Sequence, residues 1–408
     1  MAYPLEADLN LPKERYSFGV RRRVAKEVIR GSFDAAVEAV DETTGAHVPK
    51  RQAEQLAVRS AVDFDPFYSQ AEALEEDSPG SILVLSVDGK GVVMREQDLR
   101  ESTRKAAKKR KRRLPSKRSK GEKNGSKRMA TVAAVYTIEP YVRTSKQVVG
   151  QILEKVRLVE PKRPRPQNKR VWASLKKEPE EVIAAAFEEA LRRDPEQEKH
   201  WVAVVDGNET QLKLLRKYAK KHRVKLTIVL DLMHLLSYLW KAAHVFHDEG
   251  SAESQQWVGE RLLEVLRGRA GLVAGGMRRS ATLRDLDQET RKPVDSCAKY
   301  ILNHKAFVAY ESYLRNGWPI CSGVIEGTCR HLINDRMDLT GARWRLEGAE
   351  AVLRLRSIWA SGDFDDYWRF HEEQERVRNH ASRYRAGVPK VRKGSTVPSG
   401  GRELALVG

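Results

Sequence analysis

Cysteine is scarce in this 408-residue sequence, which contains Cys297, Cys321 and Cys329 and no Cys-x-x-Cys pair. Three irregularly spaced cysteines are too few for the disulfide framework of a small secreted domain, so we expect reduced packing residues. No run of about eighteen apolar residues is present, as a membrane-spanning helix would require. The N-terminus also lacks the basic-then-apolar layout of a secretory signal. We therefore expect a soluble, cytoplasmic protein with no membrane partner.

Acidic residues are nearly absent from residues 104–128, which hold fourteen Lys or Arg and one acid, Glu122. The whole chain has a net charge of +19, so this basic segment carries +13 and the remainder +6. A run of like charges repels itself, which predicts a flexible, solvated insertion. It also favours a nucleic-acid partner, because cations that neutralise phosphates release counterions. The DNA contacts expected in this segment are Lys108, Lys109, Arg110, Lys111, Arg112 and Arg113.

Residues 1–75 have a helical pattern, with Ser32 placed as an N-cap. Two short helices separated by a Thr-Thr-Gly turn are similar to a helix-turn-helix, whose second helix would present Lys50, Arg51 and Gln52 to a DNA groove. An ordinary helical hairpin that packs on the next domain explains the pattern equally well. Both interpretations stay open at this stage.

From residue 81 the pattern changes to short apolar runs of the kind found in buried strands. The first run ends at Asp88, and a glycine turn is expected before the second. Predicted helices over residues 180–193 and 210–221 alternate with the last two strands, which indicates parallel pairing there. The sequence therefore predicts an α/β fold with a mixed five-stranded sheet and flanking helices. The five strands are expected over residues 82–87, 92–94, 129–136, 201–205 and 226–230.

An aspartate follows three of these strands: Asp88, Asp206 and Asp231. The carboxyl ends of parallel strands open into the crevice where ligands bind, so these side chains are expected to converge. The alternative is that each aspartate only forms a turn, as Asp-Gly often does. Converging carboxylates repel one another unless cations hold them, and oxygen ligands suit Mg²⁺ or Mn²⁺. Two such ions would support phosphoryl transfer.

Beyond Asp231 the chain is predicted to be helical to about residue 315. A loop then enters a helix that is expected to continue through Arg356. Glu326 lies early in that helix and could return to the sheet to complete the metal site. A lone glutamate on a helix is more often solvated, so the functional interpretation depends on the order of the three acids.

The sequence resembles the DDE transposases of bacterial insertion sequences, specifically the ISKra-type group, which is related to the Mutator-like superfamily. The resemblance implies a ribonuclease-H-like catalytic core, interrupted by an all-helical insertion before the last acid. It also implies DNA cleavage at the ends of a mobile element and strand transfer into a target. The motifs that carry the resemblance are Val-Asp-Gly-Lys-Gly at 87–91, Val-Asp-Gly at 205–207, Leu-Asp-Leu-Met-His at 230–234, Ser-Gly-Val-Ile-Glu-Gly at 322–327, Gly-Ala-Arg-Trp at 341–344 and Gly-Ala-Glu-Ala at 348–351.

Within this resemblance, Asp88 matches the first catalytic acid and Glu326 the third. We assign Asp206 as the second acid, so that Asp88, Asp206 and Glu326 would hold two Mg²⁺ or Mn²⁺ ions. Asp231 and His234 receive a supporting role, although the reverse assignment of Asp206 and Asp231 stays open. The cysteine-rich, zinc-binding segment common in the group has no counterpart in this chain.

Four residues near the last acid are further candidates for DNA contacts. Arg330 and Arg336 are expected on the helix of Glu326, facing the DNA backbone. Trp344 could stack on an unpaired base beside Arg343, or it could be a core anchor.

The expected function is a DNA transposase that acts on element ends and target DNA, as a homodimer or larger assembly near the nucleoid. The alternatives are a nuclease or resolvase that only hydrolyses nucleic acid, and a non-catalytic DNA-binding descendant. The expected regions are an N-terminal helical region (1–75), the core (76–235), the helical insertion (236–318), the final catalytic helix (319–360), and a C-terminal helix with a flexible tail (361–408).

Overall fold

The computed structural model describes residues 4–13, 15–70, 81–109, 125–155, 162–339, 341–384 and 388. Arg110, Lys111, Arg112 and Arg113 of the basic segment, and nearly all of the expected tail, lie outside these residues.

The centre of the molecule is one five-stranded mixed sheet with the strand order β3-β2-β1-β4-β5. The β1-β2 and β2-β3 pairs are antiparallel, whereas β1-β4 and β4-β5 are parallel. The predicted α/β class with a mixed five-stranded sheet is therefore confirmed. The strands are β1 (Ile82–Val93), β2 (Lys127–Ile138), β3 (Gln167–Ser174), β4 (His200–Val205) and β5 (Leu226–Leu230).

Strand β1 corrects one expectation, because it runs unbroken through the Asp88-Gly89-Lys90-Gly91 segment that was predicted to turn. Its antiparallel ladder with β2 continues to the pair Val93 and Lys127, so the glycines lie inside the ladder. A Cβ on Gly91 would lie 3.0 Å from the Lys127 side chain, which explains a small residue there. The two strands predicted on either side of the turn are one strand.

Strand β3 was not predicted. Its first three residues are exposed and its last five are buried, so it shows neither an apolar run nor an alternating pattern. Its outer edge is covered from a distant part of the chain. The Ser361 hydroxyl accepts a hydrogen bond from the Val171 amide at 3.0 Å and donates one to the Val171 carbonyl at 3.2 Å.

Four helices accompany the sheet along the chain. The predicted helices 180–193 and 210–221 are confirmed within one residue at each end. The four are α6 (Glu101–Lys109), α7 (Ser145–Leu153), α8 (Pro179–Arg193) and α9 (Glu209–His222).

The N-terminal region is helical, and Ser32 caps α3 by accepting a hydrogen bond from the Ala35 amide at 3.1 Å. Helix α4 packs against α2 and against a later helix, Leu346–Ser361, and it buries Leu56 and Ala57. Both predicted alternatives require such packing, and Lys50 and Arg51 are exposed, so both interpretations stay open. The helices are α1 (Pro4–Asp8), α2 (Phe18–Arg30), α3 (Phe33–Thr44), α4 (Lys50–Ser60) and α5 (Phe64–Gln70).

The segment between β5 and the last acid is helical, as predicted. Helix α13 packs on α10 and α12, and α11 contacts both of those helices and α7. The helices are α10 (Leu232–Ala243), α11 (Ala252–Leu266), α12 (Ala270–Leu283), α13 (Lys292–Asn303) and α14 (Tyr310–Arg315).

The helix that carries Glu326 does not continue through Arg356 as expected. It ends at Met337, and a new helix begins at Leu346. In between, Gly341 has a positive φ of 80°, and the Trp344 amide donates to the Val93 carbonyl at 3.1 Å, which ties the connection to the end of β1. The elements are α15 (Gly323–Thr328), a π-helical turn (Cys329–Asn334), α16 (Asp335–Met337), α17 (Leu346–Ser361) and α18 (Phe364–Asn379).

Candidate active site

The sheet register places the three aspartates side by side. Ser86 of β1 pairs with Val204 of β4, so Asp88 and Asp206 each lie two residues further along. Val205 pairs with Leu230 of β5, and the Asp231 amide donates to the Val205 carbonyl at 2.8 Å. Strand β4 ends at Val205, whereas β1 continues past Asp88. Asp88 therefore lies within its strand but at the level where the parallel strands end.

A cavity of about 180 Å³ opens at this edge of the sheet. The structure brings all five predicted site residues to its wall: Asp88, Asp206, Asp231, His234 and Glu326. Four carboxylates and one imidazole from four separate segments thus share one small space. The cavity also includes Ser322, whose hydroxyl the sequence analysis did not single out.

Helix α15 delivers Glu326 to the cavity by packing across β1 and β2. Glu326 is exposed, yet its carboxyl pKa is raised above its ordinary value. Partial desolvation is the largest cause, and the negative charges of Asp231 and Asp88 add to it, while His234 acts in the opposite direction. The acids at this edge therefore repel one another, which is the electrostatic condition that a bound cation would relieve.

Asp88 and Asp206 are half-buried, and each accepts a hydrogen bond from a nearby amide. Asp88 accepts from the Gly89 amide at 2.6 Å, and the Cys329 thiol lies 3.4 Å from its second oxygen. Asp206 accepts from the Asn208 amide at 2.9 Å. Among the described residues, no ion pair includes Asp88, Asp206 or Glu326. Their carboxylates therefore keep oxygen lone pairs for an external ligand.

Asp231 differs from the other acids because its carboxylate is committed within the protein. It is buried, and it caps α10 by accepting from the Met233 amide at 2.9 Å. Its oxygens also accept from the Ser322 amide at 3.3 Å and from the Ser322 hydroxyl. These bonds connect β5 to the start of the helix that carries Glu326. The geometry favours Asp231 as a positioning residue and Asp206 as the freer acid.

Two residues of the insertion hold the Asp206 turn and were missed in the sequence. The Tyr300 hydroxyl donates to the Asp206 carbonyl at 2.7 Å. His304 Nε2 lies 3.0 Å from the Gly207 carbonyl, and a Cβ on Gly207, where φ is +87°, would lie 2.7 Å from the same nitrogen. The i, i+4 spacing of Tyr300 on α13 and His304, its C-cap, was the available signal, but nothing in the sequence indicated which turn they would contact.

The donor set suits a hard divalent cation, since Asp88, Asp206 and Glu326 offer carboxylate oxygens and no soft ligand. Within the described ranges, no three His, Cys, Asp or Glu side chains are close enough to form a finished metal site. The carboxylates surround the cavity instead of converging on one point.

Four of the described candidates for DNA contacts are exposed. Lys108 and Lys109 end α6, Arg330 lies beyond Glu326, and Arg343 precedes Trp344. Arg330 is 75% exposed and lies 3.8 Å from Asp335. These four side chains are accessible to a bound polyanion.

Arg336 and Trp344, the other two described candidates, are buried and are corrections to the predicted interface. Arg336 donates to the Val28 carbonyl at 3.0 Å and stacks on Phe33 and Trp344. Burial, together with the charge of Arg356, lowers the pKa of Arg336 to about 10. The Trp344 indole donates to the Met337 carbonyl at 3.0 Å, so Trp344 is the core anchor of the two alternatives.

No family model matches the chain, and no curated protein matches it significantly. Among the described residues, no helix is both long and apolar enough to cross a membrane.

Proposed function

We propose that this protein is a DDE-type DNA transposase that cleaves DNA and transfers the cut strand into a target. The observation that carries the proposal is the meeting of Asp88, Asp206 and Glu326, separated by up to 238 residues in sequence, at the wall of one cavity. The raised pKa of Glu326, to which the charge of Asp88 contributes, supports an electrostatic interaction between acids of this set.

Asp88, Asp206 and Glu326 are the residues that would hold two Mg²⁺ or Mn²⁺ ions. Such ions, when bound, would activate an attacking oxygen and stabilise the leaving oxygen in phosphoryl transfer. The protein's own residues fix the acids in position. Asp231 links β5 to α15 through Ser322, and Tyr300 holds the carbonyl of Asp206.

The mixed sheet supports a ribonuclease-H-like core, because its parallel pairs place two acids at one edge and the helical insertion precedes the third. The partners we propose are the terminal inverted repeats of a mobile element and its target DNA. Two ends must be joined in one reaction, so we propose a homodimer or larger assembly on DNA. A cytoplasmic, nucleoid-associated location follows from that partner.

The deciding experiment uses duplex oligonucleotides that carry the inverted repeats flanking the gene, together with a labelled target duplex. We expect Mg²⁺-dependent cleavage at the repeat and a joined product in the target. Cleavage without joining would instead favour a nuclease or resolvase. DNA binding without cleavage in either Mg²⁺ or Mn²⁺ would favour a non-catalytic DNA-binding protein. The Asp88→Ala protein serves as the control for contaminating nucleases.

A further inference from the structure

The positive charge of the chain is concentrated in two segments. Residues 104–128 carry fourteen Lys or Arg and one acid, and residues 209–225 carry seven and one acid, Glu209. The remaining residues contain 54 Lys or Arg and 54 Asp or Glu, so they are neutral overall. The second segment therefore supplies all of the net positive charge that lies outside the basic segment.

The second segment is mainly the helix α9, and its charges lie on one side. Lys213, Arg216, Lys217, Lys220 and Lys221 are all exposed, and we call them the α9 basic face. At 100° per residue they cover an arc of about 140°. The opposite side of α9 buries Leu212, Leu215 and Tyr218. The arrangement is an amphipathic helix whose polar side carries these five cations and one acid, Glu209, in its first turn.

Helix α9, which carries this face, begins next to the candidate active site. Asn208, two residues after Asp206, caps α9 by accepting from the Thr210 amide at 3.0 Å. The rise of the helix places Lys221 about 12 Å beyond Lys213 along the axis.

Contacts with neighbouring elements hold parts of this face in place. The Arg216 guanidinium lies 5.0 Å from the Phe307 ring of the insertion, and the Lys217 ammonium lies 2.6 Å from Glu180 of α8. Lys221 lies 5.3 Å from the Tyr218 ring. Helix α9 is thus held against α8 and the insertion, and the ion pair with Glu180 offsets one of the five charges of the face.

We propose that the α9 basic face binds the phosphate backbone of duplex DNA whose scissile phosphate lies at the acidic cavity. This proposal deepens the proposed function and rests on it for the identity of the DNA. The acidic cavity repels phosphates, and a row of cations on the helix that starts beside it offsets that repulsion. The distance of about 12 Å between Lys213 and Lys221 corresponds to about three or four base pairs along the duplex axis. Contacts of this kind position the duplex without reading its sequence.

The test is the salt dependence of duplex DNA binding by the full chain. Lys213→Gln combined with Lys220→Gln removes two exposed charges and leaves Arg216, which packs on Phe307, in place. The matched control removes two arginines of α18, Arg369→Gln with Arg376→Gln, which lie beside Asp366 and Glu373. Fluorescence anisotropy with a labelled duplex at several KCl concentrations gives the binding constants.

Log affinity falls as log salt rises. We expect this dependence to be shallower in the α9 variant, by about 0.9 for each phosphate that it no longer neutralises, and to be unchanged in the control. An unchanged slope in the α9 variant, or an equal change in the control, would overturn the proposal. Weakened binding confined to structured RNA, with duplex DNA unaffected, would also overturn it. Strand transfer by the wild type is scored separately. If the wild type joins strands but the α9 variant keeps the wild-type salt slope, only the proposal for the α9 basic face is contradicted. If the slope changes in the α9 variant but the wild type never cleaves DNA, only the proposed function is contradicted.

Discussion

Two clusters of ionisable side chains in this protein have opposite electrostatic organisation. In the cavity, Asp88, Asp206 and Glu326 form no ion pair within the described residues, and the pKa of Glu326 is raised. Between α5 and α18, Asp63 is buried and accepts from His371 at 2.7 Å and from two nitrogens of Arg378 at 2.6 and 2.8 Å. Burial opposes ionisation of Asp63, but these bonds outweigh it and hold its pKa below the ordinary value.

The comparison separates an acid that stabilises the fold from acids that are available to a ligand. Asp63 is satisfied by partners of opposite charge, so its removal would leave the buried His371 without this acceptor and Arg378 with Glu375 as its acidic partner. The cavity acids face one another, so their proximity costs energy that a bound cation would recover. The two clusters should therefore respond to mutation in different ways, one through stability and the other through activity.

The largest effect is expected from the cavity acids. Asp88→Ala, Asp206→Ala and Glu326→Ala should each lower Mg²⁺-dependent cleavage by about 1000-fold or more, since metal-based stabilisation amounts to several kcal/mol. Affinity for DNA should be unchanged or higher, because each change removes a negative charge. Gel-based cleavage and anisotropy measure the two quantities. Asp366→Ala, a change of an exposed acid on α18, should leave both unchanged; full cleavage by Asp88→Ala would contradict the assignment of the site.

The next effect is expected at the Asp63 cluster and concerns stability. Asp63→Ala leaves His371 buried and removes the two hydrogen bonds that Arg378 donates to Asp63. The free energy of unfolding should fall by about 3 kcal/mol, which is the lower end for breaking a buried ion pair, because Arg378 is partly exposed. Urea unfolding measures the decrease. Cleavage per folded molecule should be retained. A variant as stable as wild type would show that the cluster is not structural.

The sequence predicted the candidate site better than it predicted the elements that support it. Asp88, Asp206 and Asp231 were recognisable because an apolar run precedes each of them, and Glu326 because of its place after these acids and of the resemblance carried by residues 322–327. That all four meet at one cavity depends on strand register, and the continuous apolar runs of β1 and β4 offer no alternating pattern from which the register could be inferred. The supporting contacts of Ser322 and Tyr300 are tertiary, and no local signal marked them.

The fold predictions failed where tertiary contacts replaced local preferences. Gly89 and Gly91 favour a turn, but the ladder with β2 satisfies their backbone and keeps β1 extended. The edge strand β3 is polar in its first half and was missed. The expected total of five strands was correct only because splitting β1 compensated for omitting β3. Arg336 was placed on a DNA-facing surface because charge alone does not reveal stacking between Phe33 and Trp344.

A smaller effect is expected at Asp231, the acid that belongs in part to both classes. Asp231→Ala removes the cap of α10 and leaves the Ser322 amide and hydroxyl without their acceptor, which should cost about 1–3 kcal/mol. Activity should fall partly, through displacement of α15. Thermal unfolding and cleavage rates, measured together, test this. If Asp231→Ala is stable and inactive while Asp206→Ala cuts at the wild-type rate, the roles of the two aspartates must be exchanged.

The smallest effect concerns the repulsion at Glu326 in the absence of metal. Because its pKa in the folded protein is raised above 4.5, the ionised side chain destabilises the fold at pH values above the raised pKa, and this penalty disappears as pH falls below 4.5. Glu326→Gln should therefore raise Tm slightly at pH 7 in EDTA. The gain in the free energy of unfolding should be less than about 1 kcal/mol, since Glu326 is exposed to solvent. The gain should vanish towards pH 4.

Adding Mg²⁺ should make the wild type the more stable of the two proteins, because the wild type keeps a carboxylate that can bind the ion and the variant lacks it. Differential scanning fluorimetry across pH, with and without Mg²⁺, measures all three differences, and a Tm gain that persists at pH 4 would show that it does not come from the charge of Glu326.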